Sequence, residues 1–409
     1  MARNRKTKNK IVKPVKNAAF SSFDKACQVF FKKLDMLKLY NSLSKNEKRI
    51  MFNYRVIMRT PVSAKGTRLP SKELKRIGNC IQKKMRICSF ESDGQWFSNY
   101  EIQIFWLLAQ LKQSKVISEM RRAELYIIFG PKNVKLESFF HHYLITLVKA
   151  ILSLSSIEKK YYSFNPRSAK IIKDKLEFEI SLQVFDHRAR KKYFQRNGVY
   201  RPAYAIGLPN LDMVTKWLQI ETSILDGKYQ GDKEKLDVYI QSHALERMKE
   251  RLDLLDPTSL YFVIWSNTST LNSFVFYHDL LLCPIQIHNC KVGYFVAEII
   301  DDCLVLKTFL FITHSSTPEG DTLKKISGLG WKDISYWKID RLSTFMKIDT
   351  IKYPRLAEMF NEAGLTDLFH LQGKELDLDT LQDANLDALR DYIHKGKEEH
   401  EYEYSDAIR

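Results

Sequence analysis

The stretch that decides the fold of this chain is Leu236–Leu254, which reads LDVYIQSHALERMKERLDL. In its first six residues apolar and polar side chains alternate, and this pattern predicts a strand with one apolar face. Ser242 then predicts a helix N-cap, and the residues after it follow the period of an amphipathic helix. A strand that leads directly into such a helix predicts a layer in which the helix packs on a sheet.

On a helical wheel, His243, Arg247 and Arg251 fall along one line beside the apolar face of this helix. His243 lies in the first turn, where the helix dipole favours a neutral imidazole that can accept a proton. Arg247 lies one turn further on and can bind a phosphate through paired hydrogen bonds. We therefore predict His243 as a catalytic acid/base, Arg247 as a catalytic phosphate ligand and Arg251 as a nucleic-acid-binding residue. The alternative interpretation is a solvated surface on which the two arginines pair with Glu246 and Glu250.

The residues after this helix predict a small α+β layer, because further helix starts and a hairpin pattern follow it. The predicted elements are a helix over Thr258–Ser266 that begins after Asp256-Pro257, the hairpin strands Val292–Ile300 and Leu304–Thr313, and a helix from Thr317 to about Gly328.

This part of the chain is predicted to contain, in order, a strand, the pattern Ser242-His243-Ala244-x-x-Arg247-x-x-x-Arg251, a second helix and antiparallel strands. This order resembles that of small bacterial toxin domains of the RelE and BrnT type. The resemblance covers roughly residues 236–315, about a fifth of the chain. It implies a small antiparallel sheet packed by helices, and a metal-independent endoribonuclease that uses no cofactor. It also leaves open a neutralising protein partner.

The charge of the chain is unevenly distributed. The net charge is +17, but residues 375–409 contain eleven acids and four bases, so this tail carries −7 and residues 1–374 carry +24. A basic body favours an anionic partner such as RNA or another nucleic acid. The tail is a candidate internal inhibitor of that body, while the alternative interpretation is that the charge serves solubility alone.

A second concentration of basic residues lies at 186–204, which reads DHRARKKYFQRNGVYRPAY. Cations neutralise phosphates and aromatic rings stack on unpaired bases, so this mixture is typical of a surface for single-stranded nucleic acid. The alternative interpretation is a solvated basic helix with aromatic residues in the core. The predicted nucleic-acid-binding residues here are Arg188, Arg190, Lys191, Lys192, Tyr193 and Arg196.

The whole pattern predicts an α+β chain, with a mainly helical N-terminal domain followed by a small antiparallel-sheet domain packed by helices. The helical domain includes a predicted helix over Gln95–Leu111, and a strand over Leu176–Phe185 and a short helix from Asn210 or Asp212 to Leu218 follow it. The predicted divisions are a disordered basic arm (1–19), the helical domain (20–155), a basic linker and strand-helix region (156–235), the α+β domain (236–345) and a helical, then acidic and partly disordered tail (346–409).

Composition narrows the functional classes. No stretch of the sequence reaches the roughly 18 apolar residues of a membrane helix, and no secretory signal is expected. Six cysteines in 48.1 kDa favour a reduced, cytoplasmic setting. Cys283, His288, Cys290 and Cys303 match no standard zinc spacing, so neither a metal nor a cofactor is predicted.

We expect a nucleic-acid-interacting protein with a ribonuclease-like domain, the alternatives being a non-catalytic RNA- or DNA-binding protein and a structural or interaction protein.

Overall fold

A computed structural model describes residues 16–377 except 93, 130–135, 169–178, 197, 210, 212 and 329–330. The chain divides into two compact units, the first made of Met1–Val62, Leu74–Leu147 and Pro166–Leu182, and the second of Ser63–Glu73, Val148–Asn165 and Gln183–Arg409. Helices and mixed sheets together confirm the predicted α+β class. The first fifteen residues of the predicted basic arm, and the acidic tail from residue 378, lie outside the described residues.

The N-terminal part of the chain is mainly helical. Its elements are α1 (Lys16–Lys33), α2 (Leu37–Ser42), α3 (Lys45–Tyr54), β1 (Ile57–Met58), β2 (Val62–Ser63), α4 (Ser71–Lys84), β3 (Cys88–Ser92), β4 (Gln95–Ser98), α5 (Asn99–Leu111), α6 (Glu119–Phe129) and α7 (Leu136–Leu154). Phe31, Tyr40 and Leu107 are fully buried in the core of the first unit, together with other residues of α1 and α5. Helix α1 begins at Lys16, so the last residues of the segment predicted as a disordered arm are helical.

The predicted helix over Gln95–Leu111 is wrong at its start. Residues 95–98 form strand β4, which pairs with β3, and α5 begins only at Asn99. The reason is a capping box: the hydroxyl of Ser98 accepts from the amide of Glu101, whose carboxylate accepts from the amide of Ser98. This reciprocal pair fixes the helix start four residues later than the apolar periodicity indicates.

The rest of the chain contains most of the strands. Its elements are β5 (Lys160–Ser168), β6 (Glu179–Arg188), β7 (Lys191–Arg196), β8 (Val199–Ala205), β9 (Gly207–Pro209), β10 (Thr215–Trp217), β11 (Gln219–Glu221), a 3-10 turn (Thr222–Leu225), β12 (Lys235–Gln241), α8 (Ser242–Arg251), α9 (Pro257–Ser269), β13 (Val275–Tyr277), β14 (Leu280–Ile287), β15 (Cys290–Ile300), β16 (Cys303–Phe311), α10 (Pro318–Ser327), α11 (Trp331–Tyr336), α12 (Leu342–Phe345), α13 (Pro354–Glu362) and α14 (Thr366–Phe369).

An eight-stranded sheet organises the second unit. Its order is β13-β14-β15-β16-β12-β8-β7, with β11 also paired to β12. The sheet is mixed, not purely antiparallel as predicted, because β12 runs parallel to β16 with Ile240 opposite Leu306. The predicted hairpin of β15 and β16 is confirmed, and both residues of its turn, Asp301 and Asp302, have positive φ. The loop 226–234 joins β11 and β12, two strands that pair with each other.

Helix α8 packs on this sheet through the apolar face that the sequence indicates. Val238 and Ile240 of β12 are buried, as are Ala244 and Met248 of α8. Burial of side chains of this size stabilises the fold by about 1.5–3 kcal/mol for each larger residue. The predicted cap at Ser242 is wrong, since Gln241 occupies the N-cap position and no side chain caps this helix.

Two later helix starts are confirmed, and one predicted helix is wrong. The carboxylate of Asp256 accepts from the amides of Thr258 and Ser259 at the start of α9, and Thr317 caps α10. Residues 215–217, in contrast, form β10, which pairs with β9 instead of forming the predicted short helix. No helix in the described part of the chain is both long and apolar enough to cross a membrane.

Candidate nucleic-acid interface

Strands β7 and β8 form a hairpin at one end of the eight-stranded sheet. Their register places Lys191 opposite Tyr204, Tyr193 opposite Pro202, and Gln195 opposite Tyr200. Because directly opposite residues of paired strands point to the same side, all six side chains share one face. We call this the tyrosine face.

The tyrosine face is open to solvent. Tyr193 is 55% exposed and Tyr200 is 63% exposed. The ammonium of Lys191 lies 4.6 Å from the ring centre of Tyr193 and 5.9 Å from that of Tyr204. An unpaired nucleotide can stack its base on an aromatic ring and place its phosphate beside a cation. Large exposed aromatic rings next to a lysine provide both contacts.

The opposite face of the hairpin fixes it to the sheet. Phe194 is buried there with Ala203, Val305 and Cys303 in a small hydrophobic cluster. Phe194 is buried and its neighbours along β7 are exposed. A shift of the strand pairing by one residue would expose Phe194, so its burial keeps the tyrosine face on the solvent side.

The structure separates the predicted nucleic-acid-binding residues of this region. Lys192 lies on the buried face, where its ammonium donates to Sγ of Cys303 at 3.4 Å. Arg188 is exposed at the end of β6, and the exposed Arg190 stacks over the ring of Trp217 at 4.2 Å. Arg196 ends β7, and its side chain lies outside the described residues. Lys191, Tyr193, Arg188 and Arg190 are therefore the predicted residues that face solvent.

The three predicted residues on α8 are not brought together. His243 is exposed in the first turn, and within the described residues no hydrogen bond or ion pair involves its ring. Arg247 donates to Glu250 at 2.7 Å in an exposed pair one turn apart. This pair matches the alternative interpretation of a solvated helix surface, in which a charged residue of α8 neutralises the arginine.

Arg247 and Arg251 nevertheless line one cavity of about 260 Å³ between α8, the end of β16 and α11, together with His314 and Asp340. His243 is not among its lining residues. Arg251 makes an ion pair with the buried Asp340, so its charge is already compensated. The cavity thus carries less free positive charge than two arginines alone would provide.

His314 faces this cavity as a hydrogen-bond donor. The amide of Ser316 donates to Nδ1 of His314 at 3.1 Å, so a neutral imidazole keeps its proton on Nε2. Burial lowers the pKa of His314, and the nearby charge of Arg251 lowers it further, so the ring stays neutral at pH 7. In this state the ring can donate to an anionic oxygen but has no lone pair left on Nε2 to act as a base.

Comparison with known proteins gives no match, since no family model, no curated protein and no solved structure matches this chain. The resemblance to the RelE and BrnT toxins therefore stays a prediction.

No group of three or more metal-binding side chains occurs among the residues that the structure describes. Cys283, Cys290 and Cys303 are free thiols in the interior, and burial raises the pKa of Cys283 to about 12. A thiol with a pKa as high as that of Cys283 is a poor metal ligand at neutral pH, because a metal binds the thiolate.

The hairpin has one local signal in the sequence. Asn197-Gly198 is the dipeptide most typical of a two-residue hairpin turn, and Gly198 has φ of +76°. With that turn fixed, the alternation on either side predicts the tyrosine face, including Tyr200 and Tyr204. No local signal points to Trp217, whose contact with Arg190 depends on strand packing.

Proposed function

We propose that this protein binds single-stranded nucleic acid, with RNA as the expected partner, through the tyrosine face of the β7–β8 hairpin. The observation that carries the proposal is the exposure of Tyr193 and Tyr200 on the same face as Lys191. Soluble domains bury most large aromatic residues unless a partner covers them, and stacking on bases is a common use of exposed rings. The net charge of +17 supports an anionic partner.

A salt titration tests this proposal. We expect a labelled single-stranded RNA to bind, with log K falling linearly as log salt rises at a slope of about −2, because three cations (Arg188, Arg190 and Lys191) each release roughly 0.7 counterions from a single strand. Binding is measured by fluorescence anisotropy against a duplex of the same length. Absence of salt-dependent binding, or a preference for the duplex, would rule the proposal out.

RNA cleavage is a second proposal, favoured by the cavity that brings Arg247, Arg251 and His314 together. In this proposal Arg247 holds the phosphate while Arg251 stays paired with Asp340, Nε2 of His314 donates to the phosphate, and His243 is the acid/base candidate that the RelE and BrnT resemblance implies. This proposal requires the Arg247–Glu250 pair to open when substrate binds.

The two histidines can be separated by experiment. We expect His243→Gln to slow the cutting of a 5′-labelled RNA by about 100-fold, as loss of an acid/base group does, and His314→Ala to slow it by only about 10-fold, as loss of one hydrogen bond to the phosphate does. Lys249→Gln, an exposed cation on the same helix, is the control and should cut normally. If wild-type protein binds the RNA but leaves it intact on a denaturing gel, cleavage is excluded and binding alone stands.

Two further expectations belong to this proposal. We propose a cytoplasmic setting, which the free thiols of Cys27, Cys80, Cys283, Cys290 and Cys303 support, because oxidising compartments favour disulfides. A neutralising protein partner is proposed only together with the toxin-like activity.

A further inference from the structure

A second cavity of about 400 Å³ lies between the C-terminal end of α8, α12 and α13. Three basic side chains line it, from Lys338, Arg341 and Lys347, together with the phenol ring of Tyr353. The acid in the lining is Asp253. We call this the basic cavity. None of these residues belongs to the hairpin or to the line of residues on α8 that the sequence singles out.

None of the three cations of the basic cavity makes an ion pair within the described part of the chain. Among the described residues, no carboxylate lies within 4 Å of Lys338, Arg341 or Lys347. Both oxygens of Asp253 are engaged by Ser343, whose amide donates at 3.0 Å and whose hydroxyl donates at 2.7 Å. The lining therefore carries three positive charges against one negative charge whose oxygens already accept hydrogen bonds.

Arg341 adds a second, independent observation. Its Nε is buried and has no hydrogen-bond partner in the described part of the chain. The neighbouring Asp340 makes its ion pair with Arg251 and attracts Arg341 by charge, but it accepts no hydrogen bond from this Nε. That atom is closed to solvent, but Arg341 is only half-buried and lines the cavity, and the planar fork of a guanidinium suits a ligand with several acceptor oxygens.

We propose that the basic cavity binds the phosphate group of a nucleotide. Lys338, Arg341 and Lys347 hold the phosphate oxygens, because charge-assisted hydrogen bonds are the strongest ones available to such a group. Tyr353, which is 49% exposed, offers its ring to the base. The volume exceeds the needs of a bare phosphate and matches a small organic ligand. The nucleotide is either free or part of a strand.

Calorimetry with the full chain tests this proposal. The probes are adenosine 5′-monophosphate, adenosine without phosphate, and a single-stranded RNA of about 12 nucleotides. We expect the monophosphate to bind and adenosine not to bind. Lys338→Gln/Lys347→Gln, which changes two exposed side chains, should lower the affinity about 30-fold through the loss of two charge-assisted contacts. Tyr353→Ala should lower it several-fold.

A matched control removes the same charge elsewhere. Lys324→Gln/Lys325→Gln on α10 changes two exposed lysines that do not line the basic cavity, and it should bind the monophosphate like wild type. If only RNA binding falls in Lys338→Gln/Lys347→Gln, the cavity takes its phosphate from a strand. If this variant matches the control with both probes, the proposal is overturned. The outcome is independent of the hairpin, since Tyr193→Ala/Tyr200→Ala should bind the monophosphate normally.

Discussion

The double variant Tyr193→Ala/Tyr200→Ala is expected to bind single-stranded RNA at least about 30-fold more weakly than wild type, because each stacked base contributes about 1–3 kcal/mol. Both rings are more than half exposed on the tyrosine face, so their removal deletes stacking surface without emptying a core position. Lys191 and Arg190 remain, so the slope of log K against log salt should change little. Fluorescence anisotropy with one RNA at several salt concentrations measures both quantities.

The control for this prediction removes two aromatic rings of similar exposure outside the hairpin. Tyr126 is 48% exposed and Tyr336 is 79% exposed, so Tyr126→Ala/Tyr336→Ala deletes comparable surface. This control should bind RNA like wild type. Equal weakening in both double variants would show that the tyrosine face is not the binding surface, and thermal unfolding should confirm that both variants remain folded.

The part of the fold that sequence predicts best is the part set by neighbours along the chain. The strand before α8, the α9 start at Asp256 and the β15–β16 hairpin all follow from periodicity and capping chemistry within a few residues. The same local chemistry would have given the start of α5, because Ser98 and Glu101 have capping-box spacing. A helix start is misplaced when it is predicted from apolar periodicity alone, without the polar capping residues at the end of the helix.

The parts that the sequence could not give depend on contacts between distant segments. Strand β10 is a strand because it pairs with β9, and the ring of Trp217 packs edge-on against Tyr161, 56 positions earlier in the chain. The parallel pairing of β12 with β16 likewise joins residues more than sixty positions apart.

The candidate sites divide in the same way. The residues of the tyrosine face are neighbours in a hairpin, so their alternation in the sequence already contains the arrangement. The basic cavity combines Asp253, two residues after the end of α8, with residues near α12 and α13, and no spacing rule connects them. The helical wheel places His243 and Arg251 on α8, as the structure does. It cannot show that Asp340, which lies far along the chain, neutralises Arg251.

That ion pair carries the second large prediction. Arg251→Ala is expected to lower the free energy of unfolding by about 3 kcal/mol, because it leaves the buried carboxylate of Asp340 without its partner. The side chains of Arg251 and Asp340 are only 19% and 9% exposed, so water compensates little. Arg247→Ala is the matched control one turn earlier, where the exposed pair with Glu250 contributes less than about 1 kcal/mol. Urea unfolding of both variants measures the difference.

The cost of Arg251→Ala should also depend on pH, and the sign follows from Asp340. Burial raises the pKa of Asp340 above 3.8, and the attraction of Arg251, followed by that of Arg341, only partly offsets it. A carboxyl group with a raised pKa in the folded state stabilises the fold fully below 3.8, and this contribution is lost as pH rises through the folded-state pKa. Without Arg251 the pKa rises further, so the same loss extends to higher pH and becomes larger.

The destabilisation caused by Arg251→Ala should therefore be small below pH 3.8, where Asp340 is protonated with or without its partner, and should grow towards neutral pH. Arg251→Met/Asp340→Leu should recover most of the lost stability at pH 7, because it removes the buried carboxylate together with the arginine. A loss in Arg251→Ala that is equal at acid and neutral pH would show that the arginine acts through packing of its aliphatic stem. In that case Arg251→Met alone should restore stability, whereas unpaired charge predicts that it does not.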